Sequence, residues 1–135
     1  MTRRRVLVAG LILLGALHLW WGLWAAVAPR HFFDTFPGFG HHWTAAYPPY
    51  NAHLVSDLAA TFTTLGVLLL IAAWLRDRRV TAVVLVGVLL FSTLHLVYHL
   101  GHPGGLRGAD LAASLISLAI GVLGSAALLV VARRA

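Results

Sequence analysis

VTAVVLVGVLLFSTLHLVYHL, residues 80–100, runs for 21 residues without a formally charged side chain, and its length decides the fold. At a rise of about 1.5 Å per residue, a helix of that length crosses a hydrocarbon core of about 30 Å. Lipid offers the backbone no hydrogen bonds, so such a run has to satisfy its own polar groups as a helix. Three runs of the same kind accompany it, residues 6–28, 52–75 and 109–132. Arg76-Asp77-Arg78-Arg79 separates the second run from the third, and Gly101-His102-Pro103-Gly104-Gly105 ends the third with turn-forming residues. The expected architecture is all-α, a four-helix transmembrane bundle forming one domain over residues 1–135.

Composition agrees with a bilayer as the solvent. Hydrophobic residues make up 60% of the chain and charged ones 10%, with a mean hydropathy of +0.86. Cysteine is absent, which excludes disulfides, thiol catalysis and Cys-ligated metal centres. The net charge of +6 is carried by arginines at the ends of the apolar runs, so it points to a lipid partner and away from nucleic acid. With a cytoplasmic N-terminus, Arg3, Arg4, Arg5, Arg76, Arg78, Arg79, Arg133 and Arg134 lie inside, while only Arg30 and Arg107 lie outside. That asymmetry predicts a multi-pass protein of the cell membrane with both termini cytoplasmic. The first run ends in Ala26-Val27-Ala28, similar to a signal-peptidase site, but Pro29 follows directly and the run is long, so a retained helix is expected.

Residues 29–51, PRHFFDTFPGFGHHWTAAYPPYN, are rich in aromatics, Pro and Gly and poor in charge. They read as an outer loop at headgroup level between the first two spans, anchored by Phe32, Phe33, Phe36, Trp43 and Tyr47. A lid over the bundle mouth is the alternative reading.

All eight histidines, His18, His31, His41, His42, His53, His95, His99 and His102, fall in the outer half of this topology. At roughly 100° per residue, His95, His99 and His102 form one stripe on the third span. His53 and Asp57 are i,i+4 neighbours on the second, and Asp57 and His95 are each expected about 10 Å below the outer surface. Ionisable groups at such depth are costly unless paired or hydrated, which points to a shared outer cavity. Imidazoles with a carboxylate are a transition-metal donor set, so His53, Asp57, His95, His99 and His102 are the expected metal ligands. For haem the expected cofactor-binding residues are His18, His53, His95 and His99, with Gly15 and Gly22 making room beside His18. A relay of protons through the same rings, joined by Tyr98, needs no metal. On the fourth run Ala113, Ser117, Gly121 and Ser125 form a small-residue ridge, expected to permit close helix approach within the bundle.

PYNAHLVSD (49–57), APRHFFDTFPG (28–38) and HLVYH (95–99) give the chain a resemblance to a family of small, uncharacterised four-helix membrane proteins of actinobacterial type. The resemblance implies the four-helix architecture and no activity. A more distant likeness, to DoxX-like four-helix proteins linked to membrane redox chemistry, is one of architecture. Together these features lead to an expected integral membrane protein with an outer-leaflet His/Asp site that binds a metal or haem and takes part in redox chemistry. Two other readings stay open. One is a non-catalytic structural or accessory subunit within a homo-oligomer or larger membrane complex, and the other is a small proton-coupled transporter.

Overall fold

The computed structural model describes residues 2–134. In chain order the elements are α1 (Arg3–Val27), α2 (Pro29–Thr35), β1 (Pro37–Gly38), β2 (His41–His42), α3 (Ala52–Leu75), α4 (Arg78–Gly101) and α5 (Gly108–Arg134). Among the described residues four helices, α1, α3, α4 and α5, are long and apolar enough to cross a membrane, and the chain is a multi-pass membrane protein on that ground. They correspond to the four apolar runs and extend one to three residues further into the flanking arginines and glycines at most ends. Polar side chains set the boundaries. Asn51 caps α3 by accepting from the amides of His53 and Leu54, and Asp77 caps α4 by accepting from Val80 N at 2.8 Å. Between the caps Arg76 takes the left-handed conformation, φ 54°, turning the chain in two residues.

The spans associate as two pairs, α1 along α3 and α4 along α5, with sparser contact between the pairs. Small residues bring α1 and α3 together. A Cβ on Gly22 would stand 2.5 Å from Thr63 N, and one on Gly66 would stand 2.7 Å from Leu19 N, so neither position tolerates a side chain without backbone movement. The pairs join firmly at the arginine end, where Leu11, Leu69, Leu85 and Val88 are buried in one cluster and Leu128 lies directly over Gly10.

At the opposite end, residues 29–51 hold more structure than a loop. Pro29 opens the short helix α2, which Arg30 and Asp34 reinforce through a 2.7 Å ion pair. Gly38, Phe39 and Gly40, all at positive φ, then turn the two-residue strands β1 and β2. Phe32 is fully buried against Ala25, Val55 and Ala59, so the aromatics anchor into the bundle as well as facing its surface. The segment forms a cap. Gly105 N donates to Ala46 O at 2.8 Å, and Trp43 Nε1 donates to Asp110 at 3.1 Å, tying it to the α4–α5 turn and to α5.

Candidate functional site

Between the two helix pairs, beneath the cap, lies a cavity of about 560 Å³. α1 meets α5 where Leu128 lies against Gly10, and both residues line the cavity at the arginine end. The walls are mostly apolar, with Leu14, Phe62, Phe91 and Leu118 among them, and Trp43, Thr44 and Tyr47 close the top. Leu13, Leu17 and Ile120 line the cavity and are also exposed at 64%, 40% and 63%, so the cleft opens sideways between α1 and α5.

The α5 small residues create this space. Ser117, Gly121 and Gly124 line the cavity, and a Cβ on Gly124 would meet nothing within 4 Å. The ridge still packs α5 on α4, where Ser125 is buried and a Cβ on Gly121 would lie 3.6 Å from Ser92 Oγ, while Gly124 beside it faces open space; the tightest backbone approach belongs to the glycines of α1 and α3. For the same reason Gly15 and Gly22 leave no room for a macrocycle beside His18: Leu70 and Thr63 of α3 fill it.

Helix periodicity carries three histidines to the cavity. The buried stripe of α1 runs Leu7, Leu11, Gly15, His18, Gly22, Ala25, and that of α4 runs Thr81, Leu85, Val88, Ser92 and continues at His95 and His99. His18, Phe62, Phe91 and His95 form a ladder of rings, with successive centroids 5.8, 5.8 and 5.4 Å apart. At the capped end His95 Nε2 and His99 Nε2 share a proton at 2.9 Å, and His99 Nδ1 meets the Tyr47 hydroxyl at 2.7 Å. Tyr47 in turn donates to His102 O at 3.0 Å. Burial pushes the Tyr47 phenol pKa up, so the group keeps its proton at neutral pH and remains a donor.

The remaining expected ligands lie elsewhere. His53 and Asp57 pair with each other at 3.5 Å, but with side chains 83% and 62% exposed they occupy the exterior of α3. The buried stripe of that helix is Val55, Ala59, Phe62, Gly66 and Leu69, and two residues from Val55 or Ala59 is about 200° around the axis. His102 stacks on Tyr98 at 4.5 Å and bonds Tyr98 O at the exposed rim. The metal set His53, Asp57, His95, His99 and His102 is therefore divided, and among the described residues no three His, Cys, Asp or Glu side chains converge to hold a metal ion. The same division removes His53 from the haem set and leaves His18, His95 and His99 around one cavity. Tyr47, read from sequence as an interfacial anchor, takes the hydrogen-bonding place beside His99 that Tyr98 was expected to fill.

Comparison with protein-family models, with curated proteins and with solved structures gives no significant match to this chain.

Proposed function

We propose that the protein binds a lipid-soluble small molecule in the cavity between its two helix pairs, with the molecule's polar head under the cap beside His95 and its apolar body along Phe62, Phe91 and the leucines. The observation that carries this reading is the shape and polarity of the cavity. Ligand sites are typically apolar clefts of about 300–1,000 Å³ with a few convergent polar groups, and this one places imidazoles and a phenol in an otherwise hydrocarbon wall. The sideways opening between α1 and α5 admits a molecule dissolved in the bilayer. Gly124→Leu tests it, since the new side chain grows into space that is empty of protein. Protein extracted directly into lipid discs and analysed by mass spectrometry is expected to carry an apolar molecule that the variant has lost. Equal lipid extracts from the two proteins would refute the proposal.

The arginine distribution supports an orientation in the cell membrane with both termini cytoplasmic and the cap outside. Because the chain has no cysteine, Phe39→Cys at the fully exposed hairpin tip gives a single label site. A membrane-impermeant maleimide should modify it in intact cells; protection until lysis would reverse the topology.

A second reading, self-association, rests on the His53–Asp57 pair. Ionisable groups on the exterior of a spanning helix cost several kcal/mol in hydrocarbon unless something covers or hydrates them. In this reading α3 of a second copy packs over the pair. Light scattering in detergent should then show a dimer or larger assembly that Asp57→Leu with His53→Leu disrupts, and a monomeric wild type would exclude it.

A further inference from the structure

The hydrogen bonds around the cavity determine which ring nitrogens remain available and in what form. His18 Nδ1 lies 2.8 Å from Leu14 O. A carbonyl only accepts, so Nδ1 carries the proton and Nε2 carries a lone pair. At the capped end the reasoning starts from His102 O, which accepts the single proton of the Tyr47 hydroxyl. Tyr47 Oη must then accept from His99 Nδ1, leaving His99 Nε2 as an acceptor for His95 Nε2–H. This direction gives every donor and acceptor from His95 Nε2 to His102 O its partner, whereas the reverse direction takes the Tyr47 proton away from His102 O. It leaves His95 Nδ1 with a lone pair and no protein partner. Among the described residues no buried side-chain nitrogen or oxygen without a partner is sealed from space, so His18 Nε2 and His95 Nδ1 keep access to the cavity that both residues line.

We infer that the cavity ligand is a hydrogen-bond donor: an apolar molecule headed by a hydroxyl that donates to His95 Nδ1, with His18 Nε2 as a second, deeper acceptor. The inference rests on the pocket reading above and names the chemistry of its ligand. A carbonyl or ether in the same place would set one lone pair against another. The chain from His95 through His99 and Tyr47 adds to the selectivity, because each bond polarises the next and strengthens the terminal acceptor.

The test uses an alkylphenol brominated on its ring and the methyl ether of the same molecule, which differ at the donor alone. Both are titrated into the full-length protein in lipid discs. The bromine quenches Trp21 and Trp43 on the cavity wall by contact. One net hydrogen bond of about 1–1.5 kcal/mol corresponds to a preference for the phenol of about tenfold. His95→Phe should retain binding of the ether and reduce the preference to within twofold, and His95→Gln, which keeps an acceptor in reach, should restore part of it. Equal affinity for phenol and ether, or preference for the ether, would overturn the donor assignment while leaving the pocket in place. Absence of saturable quenching by either molecule would overturn both, and an unchanged preference in His95→Phe would remove His95 as the acceptor.

Discussion

Gly66→Ala and Gly124→Ala make the same chemical change on two spanning helices and are expected to act in opposite directions. At Gly66 the added carbon would stand 2.7 Å from Leu19 N and 2.9 Å from Gly15 O, both backbone atoms of α1. Favourable contact needs about 3.5 Å or more, so α1 and α3 have to part by roughly 1 Å, which forfeits up to about half the dispersion energy of the atoms in contact. Overpacking of this kind costs about 1–3 kcal/mol, and the rigid backbone on both sides places Gly66 at the upper end. Alanine returns about 1 kcal/mol of helix propensity, leaving a net loss of about 2 kcal/mol. At Gly124 the carbon enters open cavity space, and the propensity gain of about 1 kcal/mol is unopposed. The two variants should therefore differ by about 3 kcal/mol in reversible unfolding by SDS in mixed micelles, followed by tryptophan fluorescence. Variants within about 1 kcal/mol of each other would show that α1–α3 contact is looser, or the cavity smaller, than the packing argument requires.

Tyr47→Phe deletes the bonds to His99 and His102 O and should cost about 1–2 kcal/mol, with faster amide exchange over residues 44–47; unchanged exchange would mean the cap does not depend on this hydroxyl. Gly104→Ala should destabilise by about 2 kcal/mol or more, since the residue sits at φ +59° and its Cβ would lie 2.7 Å from both Ala46 O and the Tyr47 ring. A loss below about 0.5 kcal/mol in thermal unfolding would count against the docking of the α4–α5 turn on the cap. Asp57→Asn should leave alkylphenol affinity within twofold of wild type, because the carboxylate faces away from the cavity; a larger loss would return it to the site.

The four spans were legible because length and hydropathy are properties of single segments, and the bilayer imposes one solution on each. The stripe His95–His99 was legible too, as a continuation of the face Leu85, Val88, Ser92. Asp57 shows where that reasoning stops. Its i,i+4 relation to His53 says that the two share a face, and equal depth says that they could meet the α4 stripe, but neither says which way the face points. The apolar stripe Val55, Ala59, Phe62 carries that information on the same helix, and the polar pair lies opposite to it. Tyr47 was not legible as a site residue, since its place depends on Gly104 and Gly105 docking against Ala46, a contact between loops 58 residues apart from Ala46 to Gly104. The small residues of α5 were legible as a packing ridge at Gly121 and Ser125, but not Gly124 as cavity wall, because small residues serve equally to admit a neighbouring helix and to leave a void; only the facing element decides.

The cleft between α1 and α5 makes the surrounding lipid the fourth wall of the chamber. On the reading proposed above, a ligand entering there would not leave the acyl phase, so its occupancy would follow its mole fraction among the annular chains rather than its concentration in water. On the same reading, Leu13, Leu17 and Ile120 stand where the acyl chains meet the opening, so bilayer composition would govern entry to the chamber.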